Sequence, residues 1–299
     1  MLFLWAKKII VPLVFFLIIT LVVVVYTTTL NRKKNESSTT PKALTLQKEK
    51  LFYSSTIIGR SVGGREINVH SYGNGPIHLT FVGGIHGGYE WNTVLLAYTF
   101  MDYLTLHEEL VPENVTIDII PSANPDAVHM VTGKEGRFIK EDVSTNTKVL
   151  TSARFNKNNV DLNRNFDCKW QPTSTWRSKT VSAGVTSFSE PESKALRDFM
   201  VKIRPQAVVF WHSQAGGVYA SKCNSGILSE TTKLMNTYAQ ASGYKAFETF
   251  DAYETTGAAD DWLASIAIPS VTVELKTHTT LEWKENFAAI KALIEYYKK

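Results

Sequence analysis

Residues 83–92 read GGIHGGYEWN, a histidine between two glycine pairs with an acid four residues on. Glu90 is the only carboxylate between Gly75 and Met101. A catalytic zinc takes three protein ligands and leaves a position open for chemistry, and two histidines with one carboxylate are a standard set. His86 and Glu90 form a near pair; His212, which closes the apolar run AVVFWH, is the distant third. Glycines 83, 84, 87 and 88 permit tight backbone turns around an ion. Glu90 would stand near a helix start, where the dipole favours negative charge. Glu274, in the run SVTVEL, is a fourth group able to do chemistry. The competing reading is a glycine-rich turn that holds a histidine, and His212 taken alone reads as a core histidine. The histidines at 70, 78, 107, 129 and 278 lack this arrangement.

These side chains need a scaffold that brings distant segments together. HLTFVGG, VTIDIIP, AVVFWH and SVTVEL read as strands, too continuously apolar to have one wet face. NTVLLAYTFMDYLTLHEEL has the 3.6-residue apolar rhythm of a helix. SEPESKALRDFMVKI predicts another, with Ser189 as N-cap, Pro191 in the first turn and Glu192 closing a capping box. Residues 228–242 and 282–298 are also helical in pattern. The alternation predicts one α/β domain with a central, largely parallel sheet. In such sheets, sites form beyond the carboxyl ends of strands. His86, His212 and Glu274 all fall at or just past a strand end, which favours a site over three unrelated core residues.

Residues 1–50 hold eight of the 32 Lys/Arg and two of the 28 Asp/Glu, so the remaining chain carries 24 basic against 26 acidic side chains. The basic excess belongs to the N-terminal arm, and no nucleic-acid-binding domain is expected. Residues 9–26 are uniformly apolar, long enough to cross a bilayer at roughly 20 residues per span. The expected organisation is therefore a membrane anchor or signal segment over 1–30, a polar linker over 31–50 and a catalytic domain over 51–299. An uncleaved N-terminal transmembrane helix is favoured, with the domain outside the cytoplasm; secretion after signal cleavage is the alternative. Cys168 and Cys223 are the only cysteines. Pairing outside the cytoplasm and two buried thiols are equally consistent with the sequence.

Several further segments, in order across residues 57–276, resemble the zinc metallocarboxypeptidases of the carboxypeptidase A/B type. They are IGRSVGGREI, VGGIHGGYE, IIPSANPDAV, RFNKNNVDLNRNFD, VVFWHS, YETTGAADDW and VTVEL. The resemblance implies an α/β/α sandwich around a mixed, mostly parallel eight-stranded sheet. It implies one Zn²⁺ per chain, held by His86, Glu90 and His212. One departure stands out. The family spaces its first two ligands His-x-x-Glu, which here would select Tyr89; a phenol is a poor substitute because its pKa near 10 must fall before it binds as phenolate. Glu90 is expected to reach the ion through one extra residue.

The resemblance also implies roles. Glu274 would be the general base, and Arg154 would stabilise the developing oxyanion. Asn163 and Arg164 would hold the substrate's terminal carboxylate. Tyr253 would close over the substrate. Asp260 would face the C-terminal side chain and favour a basic one, unless it or Asp261 merely caps the following helix. The expected activity is removal of the C-terminal residue of a peptide, with a basic residue preferred. The rivals are a cell-wall muropeptide amidase, an N-acyl amino acid deacylase and a zinc-less peptide-binding module. The expected partners are the peptide or muropeptide and, through the N-terminal helix, a membrane; no protein partner is inferred.

Overall fold

The apolar runs picked out in the sequence become the middle of one sheet. A computed structural model describes residues 25–27 and 52–299. The apolar run over 9–26 lies almost wholly outside the described residues, and among those described no helix is long and apolar enough to cross a membrane.

In chain order the strands are β1 (Tyr53–Arg60), β2 (Glu66–Gly73), β3 (Ile77–Val82), β4 (Val115–Ile120), β5 (Thr173–Trp176), β6 (Lys179–Ser182), β7 (Ala207–Ser213), β8 (Gly217–Ala220), β9 (Lys245–Phe247) and β10 (Ser270–Leu275). The helices are α1 (Trp91–Leu106), α2 (Pro125–Thr132), α3 (Thr147–Ser152), α4 (Pro191–Ile203), α5 (Ser229–Ser242), α6 (Ala259–Ser265) and α7 (Trp283–Tyr297). Eight strands form one sheet in the order β1-β2-β4-β3-β7-β10-β8-β9; β5 and β6 make a separate hairpin. The inner strands β4, β3, β7 and β10 run parallel. The β1–β2, β2–β4 and β10–β8 pairings are antiparallel, and β8–β9 is parallel. The sheet is thus mixed, with a parallel centre.

Inner strands bury both faces, as their composition requires: every residue of β4 and β7 is buried. On one face Phe81, Trp211 and Val273 pack with α1, α5 and α7 side chains such as Phe100, Leu234 and Ile290. On the other, Val82, Val208 and Phe210 pack with Leu196 and Phe199 of α4 and Trp262 and Leu263 of α6. The result is three layers. Removing a large fully buried side chain such as Trp211 would cost on the order of 3–5 kcal/mol.

The start of α4 differs from the expectation. Glu190, not Ser189, occupies the N-cap, without a side-chain capping bond. Ser189 Oγ instead donates to Glu190 Oε1, and Glu192 accepts from the Val62 amide and from Asn156 Nδ2. Long-range partners took the acids that a local capping box would have used. Cys168 and Cys223 form a disulfide, with Cα atoms 6.0 Å apart. It joins the segment after Arg164 to the segment after β8.

Candidate metal centre

The order in which the chain adds strands to the sheet reverses between the parallel neighbours β3 and β7: β3 leads to β4 on one side, while β7 neighbours β10 on the other. A crevice is expected at the carboxyl ends of strands at such a point. It is there that His86 and His212 meet. His86 follows β3 after a turn that places Gly84 at φ 61. His212 lies within β7, one register step from its end, and opposite it on β10 stands Glu274.

Glu90 arrives by a single 3₁₀ turn, Gly87–Glu90, and is itself the N-cap of α1. That turn absorbs the extra residue. Gly87 has φ 48, and a Cβ there would sit 2.3 Å from that of Ala127; a Cβ on Gly88 would meet the Ala127 carbonyl at 2.5 Å. Only glycine lets the turn press this closely on α2. The Tyr89 ring lines the same cavity, packing on Trp176 and His278 at centroid distances of 5.3 and 4.6 Å.

Three donor atoms converge. His86 Nδ1 is 2.8 Å from Glu90 Oε1 and 3.2 Å from His212 Nδ1, and His212 Nδ1 is 3.1 Å from Glu90 Oε2. All three side chains are buried. Two imidazole nitrogens and a carboxylate in such contact are short of protons to share. Zinc binds nitrogen and carboxylate oxygen at about 2.0–2.2 Å, so tetrahedral neighbours lie about 3.3 Å apart. The trio fits a divalent ion. Burial would raise the Glu90 carboxyl, but the His86 and His212 charges outweigh it and hold it below the usual range. Burial lowers His212 from the usual imidazole range, against the opposing pull of Glu90.

Asp161, which the sequence reading did not single out, supports the trio from behind. Its Oδ1 lies 3.3 Å from His86 Nε2, out of line for a full hydrogen bond. Its Oδ2 accepts from Arg154 Nε and Nη2 at 3.0 and 2.9 Å. Burial alone would raise the Asp161 carboxyl; the Arg154, His86 and Arg164 charges hold it well below the usual carboxylate range. A carboxylate behind a ligating histidine fixes the ring's orientation and tautomer. Asp161 lies within the quoted string RFNKNNVDLNRNFD, so the signal was present but undivided.

All nine residues singled out in the sequence line one cavity of about 310 Å³. Arg154 aims Nη1 at His86 Nδ1 (3.1 Å), with its guanidinium carbon 4.6 Å from the centre of the Trp176 ring. Arg164 bonds only carbonyls, those of Asn163 and Thr175, and has no carboxylate partner among the described residues. Asn163 Oδ1 accepts from the Ala259 amide. Tyr253 and Glu274 face the same space. Glu274 Oε2 accepts from the Ala215 amide, and burial with the nearby Glu90 charge pushes its carboxyl up to about 8.

Asp260 lies in the first turn of α6, but Ala258 is the N-cap and no side-chain cap forms. The capping alternative is therefore not realised. Asp260 Oδ2 accepts from Thr272 Oγ1 at 3.0 Å. Asp261 accepts from the Lys222 amide, and burial together with the Asp260 charge raises it to about 7.

Residues 44–297 match the family model described as zinc carboxypeptidase. The gamma-D-glutamyl-L-diamino acid endopeptidase 1 of Lysinibacillus sphaericus is 25% identical over 254 residues, 78% of this chain and 63% of its own length. Murein peptide amidase A of Escherichia coli (strain K12) is 27% identical over 157 residues, 49% of this chain and 61% of its own length. The chain thus spans less than two thirds of each of these curated relatives. Among solved structures, carboxypeptidase A from Helicoverpa armigera superposes with a TM-score of 0.62 at 20% identity, covering 83% of this chain and 68% of that one. That likeness shows the shared fold. With its family model spanning nearly all of 51–299, the chain belongs to the zinc carboxypeptidase family.

Proposed function

We propose that this metallopeptidase removes the C-terminal residue of a peptide and prefers a basic one. The observation that carries the reading is the convergence of His86, Glu90 and His212 in a cavity that also holds Glu274 and an Arg164 without a carboxylate partner. His86, Glu90 and His212 would hold the zinc. When bound, the ion is a Lewis acid that polarises a peptide carbonyl and acidifies water.

The chain's own groups supply the rest. Glu274, protonated easily in its buried setting, would take a proton from water and deliver it to the leaving nitrogen. Arg154 Nη1, fixed by Asp161, would face the negative charge that grows on the carbonyl oxygen. Arg164, held by the Asn163 and Thr175 carbonyls and lacking a carboxylate partner among the described residues, would turn its remaining N–H donors to the substrate's terminal carboxylate, with Asn163 beside it. Tyr253 would cover the departing residue. Asp260, which lines the cavity, would pair with an ammonium or guanidinium, since no basic side chain of the described residues pairs with it.

A second reading is favoured by the relatives: a peptidase or amidase acting on cell-wall peptides, where the departing residue also carries a basic amine. Assays with purified muropeptides and with peptides ending in Lys, Arg or Phe separate the two. Faster release of Lys or Arg than Phe from ordinary peptides supports the first. Release from muropeptides alone rejects it. Residues 1–30 are proposed as a membrane anchor, resting on the apolar run over 9–26. Recovery of the full chain in the soluble fraction after cell lysis would contradict the anchor.

A further inference from the structure

Two cations of the cavity are left unused by the proposed mechanism, Lys222, whose Nζ donates to Thr249 Oγ1, and Arg177. β5 and β6 form a hairpin whose closing pair is Trp176 and Lys179, so Arg177 and Ser178 make the turn. Arg177 stands at φ 54, a left-handed conformation that costs glycine nothing and other residues free energy. It lines the cavity, with its guanidinium carbon 5.6 Å from the centre of the Trp176 ring. The other two arginines of the site are engaged, Arg154 by Asp161 and Arg164 by two carbonyls. Arg177 makes no hydrogen bond or ion pair among the described residues.

The hairpin tip is held in place. Trp176 is 5% exposed, its ring packed on Tyr89 and on Phe155 at 5.3 and 5.9 Å and capped by Arg154. Arg177 therefore projects from a fixed base. The sector it belongs to is also defined: Tyr89 and Trp176 line the same cavity with rings 5.3 Å apart, and His278 packs on the Tyr89 ring at 4.6 Å. Tyr89, Trp176 and His278 share no hydrogen bond or ring contact with Asp260, Asp261 or Lys222. Arg154, whose Nη1 reaches His86 Nδ1, caps the Trp176 ring, so the trio borders the Arg177 sector. If the departing residue occupies the Asp260 sector, the residue that supplies the scissile carbonyl extends toward Trp176 and Arg177.

We infer that Arg177 is a specificity-determining residue that receives a free carboxylate carried by the residue on the acyl side of the scissile bond. The inference rests on the proposed function for the direction in which the peptide lies. A guanidinium accepts a carboxylate in two parallel hydrogen bonds, and the Trp176 face behind it restricts its motion. The preferred substrate class is then a peptide with an acidic residue followed by a basic one.

The test uses binding, so that it does not depend on turnover. Zinc-loaded E274Q protein is titrated with two peptides ending in Lys that differ only by Glu or Gln at the residue before it. The Glu peptide is expected to bind about 5-fold more tightly at low salt, with the gap closing at high salt. Arg177→Gly should bring the ratio to one while holding or raising the unfolding midpoint, because glycine suits that φ. Arg177→Gln should also bring the ratio to one, and Arg177→Lys should keep part of the gap. Equal affinities in the E274Q protein, failure to bind either peptide, or a gap that survives Arg177→Gly overturns the inference. Failure of wild-type protein to hydrolyse any peptide overturns the proposed function instead and leaves the binding comparison readable.

Discussion

At the scale of single residues, Glu274 and Asp161 separate two kinds of contribution. Glu274 touches no member of the trio by hydrogen bond, and its one partner is the Ala215 amide. Glu274→Gln is expected to retain zinc while kcat falls about 10²- to 10⁴-fold, as for loss of a general base. Loss of zinc from that variant would place Glu274 among the ligands. Asp161 acts one bond further out, behind His86 and Arg154. Asp161→Asn should weaken zinc affinity about 10- to 100-fold, measured by competition with a chelator. Unchanged affinity would reduce Asp161 to a partner of Arg154 alone. The trio that could hold a metal ion was legible in the sequence because histidine, glycine and a lone acid are conspicuous in an apolar run. Asp161 was not, because a carboxylate in a polar string gives no sign of where it points. Arg177 and Trp176 were hidden for a related reason: the hairpin TSTWRSKTVS has neither apolar alternation nor a glycine at its turn.

At the scale of elements, the segment 153–168 carries Arg154, Asp161, Asn163 and Arg164 yet contains little regular structure. Polar contacts hold it. Asn156 Nδ2 donates to Glu190 Oε2 at 2.8 Å and to Glu192 Oε2 at 3.2 Å, while its own Oδ1 accepts from the Asn158 and Val160 amides. Asn156→Ala leaves two buried carboxylates without their shared donor. It should cost about 1–3 kcal/mol in denaturant unfolding and raise KM by loosening Arg164. A variant as stable as wild type would show that the disulfide and Asn165 suffice. The four inner strands and four long helices were read from the sequence to within a few residues, since burial on both faces and the 3.6-residue rhythm are composition-level signals, whereas the short edge strands and the β5–β6 hairpin carry neither signal. The start of α4 was misread because Ser189, Pro191 and Glu192 satisfy a local rule while Val62 and Asn156, far away in sequence, compete for the same acid.

At the scale of the whole molecule, metal, fold and proton balance are linked. In the metal-free protein, burial and the Glu90 charge push Glu274 up to about 8, so it is mostly protonated at pH 7. A raised carboxyl binds its proton more tightly folded than unfolded. Its contribution to stability is therefore lost as pH climbs from the unfolded value near 4.3 toward 8. Asp161 has the opposite sign: its depressed carboxyl stabilises the fold above about pH 4, and that contribution is lost as pH falls through its folded value. A divalent cation beside Glu274 lowers its pKa, so zinc loading at pH 7 should release a proton from it. Calorimetry in buffers of different ionisation enthalpy should count about one proton fewer in Glu274→Gln. Equal release from both proteins would show that Glu274 is already ionised without metal.

Metal analysis of wild-type protein beside Glu90→Ala is the most direct measurement, because the chemistry depends on an acid set four residues after His86 rather than three. The expected result is one zinc per wild-type chain and near-complete loss in Glu90→Ala, with the fold retained. Full zinc occupancy in Glu90→Ala, or no zinc in the wild type, would contradict the assignment of the centre.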